Sequence, residues 1–242
     1  MKNLFIELYR RNLVLFYLSV FLFVLSLLFL MTFHACQYSL SIICQWIKPS
    51  KFAISFLVYV VTLSWYMEYL NGLLGEKRIR LLSWLLCALV LMEMGVIFTQ
   101  SITNSLSEPL YHLSNAIIVT NTVVAIYIGL QFFRPLPLKP VIYLWGIRAG
   151  FAVFILSCFL GAFLVIRYGQ VPPDNSQFGL PFTKFSSTRD ILISIHFLGI
   201  HYLQLLPLCC YLFEKHLKKG FIFSSVGIYT MVCLLFVLTE IG

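Results

Sequence analysis

The sequence has very few charged residues. Only 11% of its 242 residues are Asp, Glu, Lys or Arg, whereas soluble globular domains carry about 25%. The acidic residues number nine against 17 basic ones, and 60% of the residues are hydrophobic. A surface so poor in charge faces lipid rather than water. The composition therefore excludes an ordinary soluble domain, and no stretch is long enough to form a separate one.

Motifs of several function classes are also missing. The sequence has no serine nucleophile elbow, Walker loop, GxGxxG or nucleic-acid motif, so those classes are set aside. The net charge of +8 does not indicate nucleic acid here, because the basic residues lie in short loops beside apolar runs. Anionic lipid headgroups are the expected counter-charge. The seven cysteines form no CxxC, and whether Cys36 and Cys44 form an outer disulfide stays open.

What the sequence does contain is a series of apolar runs of about 20 residues, the length that spans a bilayer. They predict an all-α polytopic membrane protein, a single transmembrane domain over residues 1–242 with about seven helices. The predicted spans are residues 12–34, 52–73, 81–100, 112–133, 141–166, 190–213 and 221–239. The first run is too long for a signal-peptide core and no A-x-A site follows it, so it is predicted to stay uncleaved. Residues 36–48 are expected to lie along the interface.

The loop charges predict how the chain is oriented. One set of helix ends carries eleven basic residues: Lys2, Arg10, Arg11, Lys77, Arg78, Arg80, Arg134, Lys139, Lys215, Lys218 and Lys219. The opposite set carries five: Lys48, Lys51, Arg167, Lys184 and Arg189. The positive-inside rule then places the N-terminus in the cytoplasm and the C-terminus outside. The expected location is a bacterial plasma (inner) membrane.

Polar residues inside the predicted spans mark a candidate site, because hydrocarbon gives an unpartnered polar side chain nothing to bond. With a rise of about 1.5 Å per residue, Glu93 lies about 10 Å and His196 about 9 Å below the outer face. His112 lies at the outer boundary, with Asn115 one turn deeper. We therefore expect Glu93, His112 and His196 to converge in the outer half of the membrane.

Helical spacing predicts which of these residues share a face. Glu93 and Gln100 are seven positions apart and share one. His196 and His201 are five apart and point about 140° apart, which does not favour one ion held by both. Gln204 lies within about 80° of His196. The sixth span is thus predicted to serve two polar layers, with His201 near the middle of the membrane.

Each of these residues also has a structural alternative. Intramembrane His, Gln and Asn side chains often form hydrogen bonds between helices. Arg148 lies deep in its span and could extend toward the cytoplasmic end or pair with Glu68 or Glu93. Ser187 and Asp190 fit an S-x-x-D capping box at the start of the sixth span.

The run His196–Pro207, HFLGIHYLQLLP, resembles a pattern HFxGxHxxQxxP found in uncharacterised bacterial integral membrane proteins. Two further features are similar: Glu93 and Gln100 in one span before His112 and Asn115 in the next, and the loop Gly179-Leu180-Pro181 before the His helix. The resemblance covers roughly residues 90–213. It implies a shared polar site and supplies no reaction.

Three functions stay open. The first is a metal or haem site for redox or hydrolytic chemistry, with His112 and His196 as metal ligands and Glu93 as the catalytic base of a hydrolase. The second is a small-solute or proton-coupled transporter or channel that uses Glu93, His196 and His201. The third is an accessory subunit whose polar residues join helices, with a membrane-protein partner or a second copy of the chain. Whether the protein is an enzyme is left undecided.

Overall fold

The computed structural model describes residues 4–37, 46–103, 107–138, 140–169 and 187–241. These residues form nine helices and no strand: α1 (Leu4–Arg11), α2 (Leu13–Gln37), α3 (Ile47–Tyr69), α4 (Asn71–Leu74), α5 (Glu76–Thr103), α6 (Glu108–Gln131), α7 (Val141–Tyr168), α8 (Thr188–Leu212) and α9 (Lys219–Ile241). Seven of them, all except α1 and α4, are long and apolar enough to cross a membrane. The prediction of an all-α protein with about seven spans is confirmed.

Two spanning helices begin five residues earlier than predicted. The helix α5 begins at Glu76 instead of residue 81, and the other early helix is α3. This helix begins at Ile47, five residues before the predicted start at residue 52. Its first turn contains Pro49, which costs little there because the first amide groups of a helix have no carbonyl to bond within it. Lys48 therefore belongs to a spanning helix and not to the predicted interfacial segment.

Three features predicted from the sequence lie outside the described residues. They are most of the interfacial segment 36–48, the residue Cys44 and the loop Gly179-Leu180-Pro181.

The described helices fall into two compact units, and the boundary lies within α6 between Val124 and Ala125. The first unit contains α1 to α5 and the beginning of α6. Its interior is formed mainly by apolar side chains of α2, α3 and α5. The fully buried ones include Leu15, Leu22, Leu63, Met67 and Leu86.

The N-terminal end of the first unit is fixed by polar contacts. Asn12 separates α1 from α2, and its Oδ1 accepts a 3.1 Å hydrogen bond from the Leu15 amide. Its Nδ2 donates a 2.7 Å bond to Ser83 Oγ in α5. The Arg11 guanidinium lies 3.9 Å from the centre of the Trp65 ring and also donates to the Trp65 carbonyl at 3.2 Å.

The second unit contains the rest of α6 with α7, α8 and α9. Glycines allow α7 and α8 to approach closely, as small residues do in membrane helix pairs. A methyl group at Gly146 would come within 2.9 Å of Cys210 Sγ, and one at Gly150 within 3.1 Å of the Tyr202 carbonyl oxygen. Pro207 of α8 packs against both glycines.

Large apolar side chains cover the outside of both units. Examples that are more than half exposed are Phe23, Met31, Val119, Phe159, Ile166, Met231 and Leu238. An apolar exterior of this kind is stable in hydrocarbon and unstable in water. The chain is therefore an integral membrane protein whose spanning helices contact the lipid bilayer.

Candidate functional site

Lys48 and Gln100 form the contact of the candidate site that lies nearest to the ends of its helices. The turn around α4 makes α3 and α5 antiparallel, so the first turn of α3 lies beside the last turns of α5. Lys48 Nζ donates a hydrogen bond of 2.6 Å to Gln100 Oε1. Gln100 is 7% exposed, so the ammonium group reaches an acceptor inside the unit.

Glu93 lies two turns deeper on the same face of α5, and it is also 7% exposed. Ser114 Oγ in the second turn of α6 donates to Glu93 Oε1 at 3.0 Å and approaches Oε2 at 3.3 Å. The expected shared face of Glu93 and Gln100 is therefore found, since both side chains are buried. We refer to Lys48, Gln100, Glu93 and Ser114 as the polar layer.

The charges in the polar layer balance. Lys48 and Glu93 attract each other electrostatically. Each side chain nevertheless directs its short hydrogen bond to a neutral partner, Gln100 or Ser114. One ammonium and one carboxylate give a layer without net charge, which reduces the cost of holding both groups away from water.

More polar groups follow below the layer inside the first unit. Tyr59 Oη donates to Asn121 Oδ1 at 3.3 Å. Ser64 Oγ is buried and has no hydrogen-bond partner within the described part of the chain. Ser83, bonded to Asn12, lies about 15 Å from Glu93 along α5 at about 1.5 Å per residue. Polar side chains thus recur along the interior of this unit.

The structure places His112 away from the polar layer. Its side chain is 70% exposed on α6, with Nε2 3.9 Å from Oε1 of Glu108, which is itself 88% exposed. Asn115 is half-buried, and its neighbour Ser114 is the residue that bonds Glu93. The expected meeting of Glu93 with His112 is therefore not seen.

His196 lies in the second unit, where it joins α7 to α8. Its ring Nδ1 is 2.7 Å from the carbonyl oxygen of Ser157, while Ser157 Oγ donates to the His196 carbonyl at 2.6 Å. A carbonyl accepts only, so Nδ1 carries a proton, and in the neutral ring Nε2 then keeps its lone pair. The ring packs so closely on Gly161 that a methyl group there would come within 2.6 Å of Cε1.

The two other predicted polar residues of α8 interact within their own helix. The His201 ring meets the Phe197 ring edge-on, with 4.4 Å between centroids. The Gln204 amide, in the orientation that satisfies its nitrogen, donates to the carbonyls of Ile200 at 3.2 Å and His201 at 3.0 Å. These bonds hold Gln204 against its own helix backbone.

Arg148 reaches back toward the end of α6, as a side chain that extends toward the end of its span would do. Its Nε donates to the Phe132 carbonyl at 2.8 Å and its Nη2 to the Arg134 carbonyl at 3.4 Å. These bonds satisfy carbonyls where the helix ends. Neither Glu68 nor Glu93 takes part in them.

The donor set for a metal is limited in this structure. Among the residues that the structure describes, no three His, Cys, Asp or Glu side chains are grouped to hold an ion. His112 and His196 each have their own partner, Glu108 and Ser157. The one feature that suits a metal is Nε2 of His196, because metal-binding imidazoles usually donate their other N–H to a carbonyl or carboxylate.

Sequence reasoning missed Lys48 and Ser114. The mixed composition of residues 36–48 predicts an interfacial segment, so Lys48 falls outside the predicted spans. Ser114 lies three and seven positions before Ile117 and Asn121, which is the spacing of one helix face, and His112 lies about 160° around the helix from it. These helical positions indicate that Ser114 and His112 lie on different faces of α6, and this is the sequence signal that could have identified Ser114.

Comparisons with protein-family models, with curated proteins and with solved structures find no match to this chain. The resemblance of the His196–Pro207 run to uncharacterised membrane proteins stays a prediction.

Proposed function

We propose that the protein is a transporter or channel that carries protons, or a small polar solute together with protons, through the polar layer. The observation that supports this most is the pair Lys48 and Glu93, two opposite charges inside one unit of spanning helices. Ionisable residues within a membrane are costly and usually belong to ion, substrate or proton pathways. A transporter or channel of this kind does not have to catalyse a chemical reaction.

The hydrogen bonds of Glu93 suit a group that gains and loses a proton. An ionised carboxylate accepts a bond from the Ser114 hydroxyl. A protonated carboxyl can still be bonded by it, because a hydroxyl both donates and accepts. Lys48 supplies the attraction that makes the ionised form tolerable. The layer can therefore change its charge by one without losing its bonds.

The deeper polar side chains supply steps for a proton. Tyr59, Ser64 and Ser83 have hydroxyl groups, which pass a proton by accepting one and donating another. They lie in the same unit as Glu93 and at increasing distance from the polar layer. By the loop charges, the layer lies in the outer half of a bacterial plasma membrane and the N-terminus is cytoplasmic.

The test uses protons as the probe. The full chain is reconstituted in vesicles that contain a pH-sensitive dye, and a pH gradient is applied with valinomycin and potassium to clamp the voltage. The measurement is repeated with glycine, glutamate or lysine outside. We expect wild-type vesicles to lose the gradient faster than empty ones, either alone or with one of these solutes.

The matched variants remove one carboxylate each. Glu93→Gln is expected to return the rate to that of empty vesicles, whereas Glu108→Gln, at an exposed position of α6, keeps the wild-type rate. Equal rates for the wild type and Glu93→Gln under all conditions would contradict the proposal. They would favour an accessory role in which the polar residues join helices.

A second candidate is a metal or haem iron at Nε2 of His196, for redox or hydrolytic chemistry. The bond from Nδ1 to the Ser157 carbonyl supports it, because this bond fixes Nε2 as the ligand atom. Metal analysis and the visible spectrum of the wild type are compared with those of His196→Ala. Identical metal content and spectra would remove this candidate. The polar layer is favoured because three helices contribute side chains to it, whereas His196 offers one ligand.

A further inference from the structure

Five basic residues gather where α7 and α9 begin and α8 ends. They are Arg134, Arg148, Lys215, Lys218 and Lys219, which we call the basic corner. Connections of a few residues bring these helix ends together in the second unit. The acidic residue within the same segments is Glu214, which is exposed. Five positive charges against one negative charge leave the corner with an excess of four.

Two cationic groups of the basic corner lie near the ring of Trp145. The Arg148 guanidinium carbon lies 5.0 Å from the centre of this ring, and Lys219 Nζ lies 5.2 Å from it. The two cationic groups are therefore at most 10.2 Å apart. Both benefit from the ring through cation–π attraction, but they repel each other.

The described residues supply no close counter-ion. The two ion pairs within 4 Å in the described part of the chain join Arg11 to Glu7 and His112 to Glu108, and the basic corner takes part in neither. Arg148 uses two of its five N–H groups on backbone carbonyls, which leaves three for another acceptor. The basic corner therefore has positive charge and unused N–H donors that an anion can bind.

The surroundings of the basic corner are apolar and exposed. Phe133, Phe213, Phe221 and Phe223 are each more than half exposed at the same helix ends. Trp145 lies about 6 Å inside α7 at about 1.5 Å per residue, a depth typical of tryptophans at the headgroup level. A ligand for this place needs a negative headgroup beside apolar chains.

We propose that the basic corner binds the headgroup of an anionic phospholipid. The phosphate accepts hydrogen bonds from Arg148, Lys218 and Lys219, and the acyl chains lie against the exposed phenylalanines. Basic groups at the end of a helix bundle suit such lipids, because each nearby Lys or Arg adds to the attraction. The polar layer has no part in this site, so the two proposals stand independently.

Binding is measured by native mass spectrometry on the full chain in detergent. The probes are dioleoyl phosphatidylglycerol, dioleoyl phosphatidylcholine and glycerol 1-phosphate, which lacks acyl chains. We expect phosphatidylglycerol to bind at least about tenfold more tightly than phosphatidylcholine. The double variant Lys218→Gln/Lys219→Gln is expected to weaken the binding of phosphatidylglycerol by about 30-fold, because it removes two surface charges that attract the lipid.

The matched control is Lys77→Gln/Arg78→Gln, which removes the same charge from an exposed turn of the first unit and should leave binding unchanged. Thermal unfolding checks that both variants fold. Arg134→Gln/Lys215→Gln replaces the first variant if it does not fold. Equal binding of the two lipids, or equal losses in the variant and the control, would overturn the proposal. Competition by glycerol 1-phosphate would assign the site to a free phosphate and overturn it as well.

Discussion

Ser157 and His196 exchange two hydrogen bonds across the contact between α7 and α8. The serine hydroxyl donates to the histidine carbonyl at 2.6 Å, and the imidazole Nδ1 donates to the serine carbonyl at 2.7 Å. Each residue therefore uses both its side chain and its backbone. Carbonyls inside a spanning helix are already bonded within the helix, so these bonds are additional and join the two helices.

The first prediction concerns this exchange. Ser157→Ala removes the hydroxyl that donates to His196 and should lower the free energy of unfolding by about 1 kcal/mol, the usual size of such a bond. Ser224→Ala, at an exposed position of α9, should change it by less than about 0.5 kcal/mol. Unfolding in mixed micelles with increasing SDS measures both. Losses of equal size would show that the bond adds nothing.

The second prediction concerns the close approach at Gly199. A methyl group there would clash with Tyr229 Oη and come within 2.7 Å of Ser157 Cβ. Gly199→Ala should therefore destabilise the protein by about 2 kcal/mol through overpacking. Gly227 has open space around its Cβ position, so Gly227→Ala should be neutral or slightly stabilising. Equal thermal midpoints for the two variants would be inconsistent with the packing described for α8.

The third prediction tests the charge balance of the polar layer. Lys48→Met leaves Glu93 without its counter-charge and Gln100 without its donor, and should cost about 2 kcal/mol. Lys48→Met/Glu93→Gln should recover about 1 kcal/mol of this, because the carboxylate is gone. Lys77→Met, at an exposed position, serves as the control. SDS unfolding of these variants and of Glu93→Gln alone gives the coupling energy, and a value of zero would mean that the two charges act independently.

The fourth prediction concerns the link between α6 and α7. Arg148→Lys keeps the charge but loses the planar group that reaches the carbonyls of Phe132 and Arg134, and should cost about 1–2 kcal/mol. Arg134→Lys should have little effect, since the Arg134 carbonyl and not its side chain makes the bond. Thermal unfolding compares the two variants. If Arg134→Lys lowers the stability and Arg148→Lys does not, the side chain of Arg134, and not that of Arg148, links α6 to α7.

The spanning helices and one helix cap could be predicted from the sequence for simple physical reasons. Long apolar runs are stable only as membrane helices, so hydropathy alone indicates the seven spans. The cap at Ser187 is also confirmed, because its Oγ accepts a 3.2 Å bond from the Asp190 amide. Capping depends on residues three positions apart and so is readable locally.

The candidate site was harder to predict, because apolar residues cover both the interior and the lipid face of a spanning helix. In water, polar residues mark the outer face, and His112 and Ser114 would be distinguished by periodicity. In lipid, the outer face is as apolar as the interior, so the periodicity of polar residues distinguishes the two faces only weakly. Imidazole chemistry favoured His112, whereas Ser114 points inward and bonds Glu93. Lys48 is missed for a different reason: the mixed composition of residues 36–48 resembles an interfacial segment, but the first turn of a helix tolerates both Lys48 and Pro49.

The hydrogen bond between Asn12 and Ser83 has a consequence for synthesis of the chain. The two residues are 71 positions apart, and Arg11 and Trp65 are 54 apart. The N-terminal segment leaves the ribosome first, yet its side chains acquire these partners only after α3 and the start of α5 have been made. During insertion, Arg11 and Asn12 therefore remain without these native contacts while the following helices are made.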